Sequence, residues 1–435
     1  MSGRVPHVDV VVIGGGVTGV LSAVRLAERG FSVHLLEKQF VGHGSSSRSN
    51  AGIRAQFGTP ETVAGMLYAE WWYRHFHEIL RTPTEREQPV MEQNGYLFLY
   101  DHPDAVGADR SSAAASAWAS AQRLVAMQRA AGLAVEVLDP ASVGARWPFL
   151  QAERLAGATW CAEDGFLHPH VIYGEGVRRA RELGVSVSTR TEVLSARLRA
   201  DRVASVMTSA GEWYADWFVN ATNAWGPRVS AQLGGMSLPI RPVKRYLYHF
   251  QPDRVPTTVG LWNAQPMIIY GMGPGRGAHS RPDGSQLILA WAHDGESEPQ
   301  FTDADQDRID PTFNHEHGID NFGFTVMAAV SEFAPELVEH GRIVATTSGF
   351  YAITPDANPL IGLDTHMSNL VHAAGFSGHG VMHAPVSAML IEALIAGDVR
   401  ENHVRLPAPF ENRLLDMSVF APTRLFSGAV ESLVL

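Results

Sequence analysis

The chain has 435 residues, 45% hydrophobic and 18% charged, an ordinary globular composition and too long for one simple core. Its net charge of −11 gives no electrostatic footprint for nucleic acid, and its single cysteine, Cys161, excludes an intramolecular disulfide and any four-cysteine metal site. No uninterrupted apolar run is long enough to span a bilayer, and the first one, VDVVVIGGG, is broken by glycine, so a reducing, cytoplasmic setting without a membrane span is expected.

Residues Val8 to Ile13 form a continuous apolar run rich in β-branched residues, the pattern of a strand buried on both faces of a parallel sheet. GGGVTG follows, with Gly14, Gly16 and Gly19 in G-x-G-x-x-G spacing around Val17 and Thr18. Val20, Ala23, Val24 and Ala27 then recur at helical spacing, Gly30 closes the helix, and FSVHLLEK supplies a second strand ending in Glu37. In such a unit the first glycine makes the tight turn, the second admits a pyrophosphate to the backbone, and the third lets helix pack on strand. The terminal carboxylate, here Glu37, accepts hydrogen bonds from a ribose hydroxyl. The fingerprint fits nicotinamide and flavin dinucleotides alike.

After Glu37 the chain spends about twenty residues on KQFVGHGSSSRSNAGIRAQFG, a loop of small residues carrying Arg48 and Arg54, long for a connection and so expected to be functional. An Ala/Ser-rich helical stretch and a strand, GYLFLY, lie between Leu80 and Glu163. LHPHVIYGEGVRRARELGVSVSTRTEVLSARL reads as loop, amphipathic helix and strand, and WFVNATNAWG as a strand entering a glycine turn. RYLYHF, MIIYGM and QLILAWAH read as antiparallel strands. DADQDRID lacks the turn glycine and terminal glutamate of a calcium loop and reads as a solvated turn. His168 with His170, and His315 with His317, alternate without a third ligand at a telling spacing, so no metal site is expected. Finally GFSGHGVMHAP strips the chain of side chains before a helix expected from about Ala384, whose N-terminus favours negative charge.

GGGVTG, GSSSRSNAGIR, VNATNAWG, PDANPLIG and GFSGHG together resemble the D-amino-acid oxidase-like flavoproteins, most closely the group of sarcosine oxidases, glycine oxidases and sarcosine oxidase β-subunits. The resemblance runs in order from residue 8 to about residue 396. It implies a mixed α/β fold: a discontinuous Rossmann-like FAD-binding domain (1–80, 164–235, 336–410), a substrate domain with a largely antiparallel sheet (81–163, 236–335), and a C-terminal tail (411–435). It adds cofactor contacts from Lys38, Ser45, Ser46, Ser47, Arg48, Asn50, Ala51 and Gly52, and places Val193 against the adenine. Ala221, Thr222 and Trp225 fall near the pyrophosphate, and Gly349, Gly375, Gly378, His379, Gly380, Val381 and Met382 near the flavin ring.

The chemistry implied is removal of a hydride from a carbon bearing an amine, with FAD as acceptor. Arg54 falls where sarcosine oxidases keep a substrate-facing arginine, and Arg48 lies nearer the flavin, open also to phosphate or surface pairing. Tyr270 falls near a family active-site tyrosine but is open to a core role; His293 matches the family histidine only with a slipped register; His379 lies within the flavin loop. Three departures stand out. Gly349 occupies the place of the cysteine that bonds flavin covalently, Met382 that of a carboxylate-holding lysine, and an apolar residue near Ile288 that of an oxygen-activating lysine. The first departure argues for noncovalent FAD, the second against a plain sarcosine-like substrate, and the third leaves the electron acceptor open; from the resemblance an anionic amine or amino-acid substrate and dioxygen as acceptor are expected. The alternative is a flavin-binding β-type subunit that passes electrons to a partner protein, and a homodimer or hetero-oligomer is compatible with either.

Overall fold

The computed structural model describes residues 7–260, 262–272, 277–292, 298, 300–316, 321–424 and 426. Two eight-stranded sheets organise it. In the first, His7–Ile13 runs parallel to Val33–Leu36 on one side and Gly211–Asn220 on the other, and Ser186–Ser188 and Leu370–Ala374 extend the parallel set. Val193–Arg199, Arg202–Thr208 and Leu360–Leu363 add antiparallel partners. The opening strand is apolar on both faces because both are covered. Val10 and Val12 pack under the helices Val17–Glu28, Pro169–Glu182 and Gly380–Ala396, whereas Val11 and Ile13 meet Val193, Val203, Val206 and the short helix Gly226–Gln232 on the other side.

The second sheet orders Gly341–Ile353, Arg241–Pro252, Gln286–Trp291, Ala278–Asp283, Met267–Tyr270, Tyr96–Asp101, Leu155–Cys161 and Glu136–Leu138. Its pairings are antiparallel except that Met267–Tyr270 lies parallel to Tyr96–Asp101. The two-residue period of a strand sorts its side chains. Leu97, Leu99, Tyr248, Ile268, Tyr270 and Leu289 face the helices Phe322–Ser331 and Pro335–Val338; Tyr96, Phe98, Met267, Ile269, Leu247 and Ile288 face the opposite way. Gly341–Ile353, which lies past residue 335, belongs to this sheet, pairing along its length with Arg241–Pro252.

Two local expectations change. DADQDRID is no solvated turn: Asp303–Asp307 forms a helix, started by a capping box in which Thr302 and Asp305 satisfy each other's backbone N–H. The last long helix starts at Gly380, not near Ala384, so Pro385 lies inside it. A proline there cannot donate to Val381, four residues back. The Val381 carbonyl accepts instead from the buried Tyr73 hydroxyl at 2.6 Å, which lets the helix run through.

Candidate active site

The glycine turn is built against the strand ends. Gly14 has φ +109°, and a Cβ there would stand 2.6 Å from the Ala221 carbonyl oxygen. A Cβ on Gly19 would stand 1.9 Å from the Gly14 oxygen, so the helix lies directly on the turn. Glu37 already orders this turn: Oε2 accepts from Gly15 N–H and Oε1 from Gln39 N–H, both at 2.7 Å. Gly16 offers no capping side chain, and Ser46 Oγ, from the serine-rich loop, accepts from Val17 N–H at 3.0 Å.

A cleft of about 1460 Å³, counting the solvent at its mouth, opens here between the two sheets. Gly14, Gly16, Val17, Thr18, Glu37 and Lys38 line it from the first unit, and Ser45, Ser46, Arg48 and Asn50 from the loop. Val193, Ala221, Thr222 and Trp225 line one end, and Gly349, Gly378, Gly380 and Val381 another. Gly19, Ser47, Ala51, Gly52, Gly375, His379 and Met382 stand behind that lining. Gly19 and Gly52 serve close packing, the latter against Met267 and Tyr96, and Met382 is core. Arg245 and two residues the sequence reading missed, Leu247 and Tyr351, bring the second sheet to the cleft. Tyr351 follows Gly349 by two residues on one strand, so the two-residue period was a usable signal.

Arg48 and the helix Asp303–Asp307 close one side of the cleft. Arg48 pairs with Asp307 at 2.6 Å and donates to the carbonyls of His43 and Ser348. A Cβ on Gly349 would stand 2.9 Å from Arg48 Cβ, so the arginine stem fills the room a side chain at 349 would need. Lys38 pairs with Asp303, whose carboxylate also accepts from the Trp225 indole. Burial opposes the charge on Asp303, but Lys38, Gln39 and Trp225 together hold its pKa below the usual carboxylate value.

Arg54 lies deeper. It is 2% exposed, with its guanidinium carbon 3.9 Å from the centre of the Phe57 ring, 5.5 Å from Phe98 and 5.8 Å from Tyr96. Its Nη1 donates to the Gln56 carbonyl. On the far side of Phe57 are His379 and His383, their rings edge-on at 5.4 and 5.7 Å. Burial drives both imidazoles down, His383 to about 4 and His379 further, with Arg54 adding to the effect. Both are therefore neutral at neutral pH. His383 Nδ1 lies 3.2 Å from the His379 carbonyl, which only a proton on Nδ1 satisfies. His383 was missed although it stands in the quoted GFSGHGVMHAP.

Tyr270 is not brought to this group. It lies on the opposite face of its strand, its hydroxyl 2.7 Å from Ser280 Oγ and its ring against Phe333, because even and odd residues of Met267–Tyr270 point to opposite sides. His293 lies outside the described residues. Two fully buried acids were missed by sequence reading: Asp164, before the strand Gly165–Leu167, stands beside Arg54, and Glu70, on the helix Pro60–Arg74, stands beside Asp164. A lone acid within MLYAEWWY was the available signal for Glu70. Among the described residues no group of three His, Cys, Asp or Glu side chains could hold a metal ion, and no helix is long and apolar enough to cross a membrane.

Residues 9–394 match the family described as FAD dependent oxidoreductase, and the chain belongs to it. It is 25% identical over 426 residues to FAD-dependent oxidoreductase domain-containing protein 1 of Xenopus laevis, covering 89% of this chain and 79% of that protein. It is 24% identical over 390 residues to monomeric sarcosine oxidase of a Bacillus species, covering 86% and 88%. L-proline dehydrogenase from P. horikoshii superposes with a TM-score of 0.78 at 26% identity, covering 98% and 100%; glycine oxidase from Geobacillus kaustophilus gives 0.74 at 22%, covering 96% and 99%. The mixed α/β fold is theirs, and FAD is the cofactor. The cleft fits it chemically: side-chain-free backbone at Gly14 and Gly16, a helix N-terminus for phosphate, and a second helix N-terminus at Gly380 and Val381.

Proposed function

We propose that the chain oxidises the C–N bond of a small amine or amino acid, a secondary amine or N-methyl amino acid among the candidates, whose anionic group is oriented by Arg54. Bound FAD would supply the hydride acceptor for the carbon bearing the amine, leaving an imine that hydrolyses, and dioxygen would take the electrons as hydrogen peroxide. Glu37 and the turn Gly14–Gly19 would hold the adenosine and pyrophosphate, and Val193 would lie against the adenine. The N-terminus of Gly380–Ala396 places its free N–H groups where negative charge gathers on reduction.

The observation that carries the reading is Arg54 itself, a buried guanidinium caged by Phe57, Tyr96 and Phe98 behind the cleft. A fork of donors in such a cage recognises a planar anion, and removing water strengthens the contact. His379 and His383, held neutral, leave Arg54 without a competing cation beside it. The names of the relatives, which include sarcosine oxidase, glycine oxidase and sarcosine dehydrogenase, support an amine or amino acid as substrate.

A second reading, electron transfer to a partner protein, is favoured by one feature. Ile288 lies in an apolar cluster with Leu247 and Ala290, near the place where the resembled sarcosine oxidases carry an oxygen-activating lysine. One experiment tests both. The FAD-loaded protein is mixed anaerobically with N-methyl amino acids, D-amino acids, cyclic imino acids and aminophosphonates, and air is then admitted. We expect bleaching of the flavin by at least one anionic amine and recovery in air with peroxide. Bleaching that air does not reverse assigns the acceptor to a partner; no bleaching by any amine refutes the reading.

A further inference from the structure

The segment that carries Arg54 leaves a small three-stranded sheet at Ile53, where Gly52 and Ile53 pair with Phe166 and Gly165. Asp164 is the residue just before that pairing partner, so the ladder sets it opposite the point where the Arg54 segment departs. Asp164 Oδ1 accepts from Ala55 N–H at 2.9 Å, and Oδ2 accepts from Gln56 Nε2 at 2.8 Å. Gln56 Nε2 also reaches the Tyr96 carbonyl at 3.1 Å, and the Gln56 carbonyl accepts from Arg54 Nη1. One carboxylate thus fixes the Ala55 backbone and the Gln56 side chain, and the Gln56 carbonyl in turn holds the guanidinium. Arg54, Gln56, Asp164 and Glu70 are all at most 2% exposed, so water cannot substitute for any of these bonds.

We propose that Asp164 is a positioning residue for Arg54, acting through Ala55 and Gln56, and that selection of an anionic substrate depends on this carboxylate although it does not touch the substrate. The inference rests on the reading of Arg54 as the anion-binding group. Charge accounting agrees with the geometry. Burial, then the charge of Asp164, pushes Glu70 well above the carboxylate range, so Glu70 stands neutral beside it. Burial raises Asp164 too, but the bonds from Gln56 and Ala55 and the Arg54 charge favour its anion. With these bonds in place the fork of Arg54 is fixed in direction before any ligand arrives.

The test needs a readout that general damage would not move. We would titrate FAD-loaded protein with 2-furoate and with its neutral amide, 2-furamide, and follow the flavin absorbance. The ratio of the two dissociation constants measures recognition of the anion. Asp164→Asn keeps one acceptor but turns an amide toward Gln56 Nε2, and should lower the preference for furoate by about tenfold or more while furamide binding stays within about twofold. Gln56→Met removes the side-chain link without touching either charge and should lower the preference by about threefold or more. If Asp164→Asn does not load FAD, Gln56→Met decides by the same criterion. Unchanged preference in the variants, or parallel weakening of both ligands, overturns the proposal. No preference for furoate in the wild type overturns the reading of Arg54 and this inference with it.

Discussion

Arg54 reaches its cage because aromatic residues from two separate segments, Phe57 from its own loop and Tyr96 and Phe98 from one strand, present ring faces to one guanidinium. Replacing it with alanine should lower kcat/KM for the best anionic substrate by about thirty- to a thousandfold, equivalent to roughly 2–4 kcal/mol. Arg54→Lys should recover only part, because a point charge cannot reproduce the fork; steady-state kinetics of the two variants checks this, and near wild-type efficiency in Arg54→Ala would move the anion site elsewhere. Glu37 presents a different case, because both its oxygens already hold backbone N–H groups. Glu37→Ala should weaken FAD retention by roughly 1.5–3 kcal/mol, read as FAD released on dilution. Gly349 stands where the resemblance puts a flavin-bonding cysteine, and it offers no thiol. FAD should therefore leave with the supernatant on acid precipitation. A yellow pellet would point to His43, which lines the cleft with a buried Nδ1 lacking a hydrogen-bond partner.

Two elements owe their place to single long-range contacts. The helix Gly380–Ala396 tolerates Pro385 because Tyr73 takes the orphaned Val381 carbonyl. Tyr73→Phe leaves that carbonyl unpaired and should cost about 1–3 kcal/mol in urea denaturation of the holoprotein. The helix Asp303–Asp307 is bound to the cleft by charge: Lys38 to Asp303, Arg48 to Asp307, and the Arg228 guanidinium to the Phe301 carbonyl just before it. Lys38 and Arg48 both line the cleft, so this helix covers the cofactor from one side. Asp303→Asn should speed FAD dissociation more than Asp307→Asn, since Asp303 is 28% exposed and Asp307 60% and exposed pairs contribute little. Stopped-flow flavin fluorescence after dilution gives both rates; equal, wild-type rates would show that the helix merely rests there.

At the scale of the molecule the cleft draws its walls from both sheets, Ile13, Leu36 and Ala221 from the first and Arg245, Leu247 and Tyr351 from the second. FAD binding is therefore coupled to holding the sheets together, and saturating FAD at a hundred times its Kd should add about 2.7 kcal/mol of stability, read as a Tm that rises with FAD concentration. Acid should undo the fold in a defined window. Burial lowers His279 and His383 to about 4, and His379 further. Between the unfolded value of 6.5 and about 4 the unfolded chain binds protons that the native imidazoles refuse, so stability falls as pH falls, by about 1.4 kcal/mol per unit per histidine. Glu70 and Asp164 run the other way, because their raised values let the native state hold protons the unfolded chain releases. His34, which burial also lowers to about 4, adds to the loss on the histidine side. The urea midpoint of the holoprotein should drop from pH 6.5 to pH 5, and His383→Gln should make the slope shallower; a flat or rising midpoint would contradict this.

The dinucleotide unit was legible in the sequence because every part of it is local. A buried β-branched strand, a glycine turn, a helix and a terminal carboxylate follow one another within residues 8–37, and each leaves its mark on its own segment. The antiparallel strands of the second sheet were readable for the same reason, since alternation is a property of neighbours. Which face of a strand meets the cleft was not readable: Tyr270 and Tyr351 look alike in sequence, and only the packing of helices on one side of the sheet turns the first away and leaves the second at the cavity. Asp303 and Asp307 look like solvated acids until Lys38 and Arg48, more than 250 residues earlier, arrive beside them. The placement of Asp164 beside Arg54 has no local signature, because the cost of burying a charge depends on what tertiary contact places next to it.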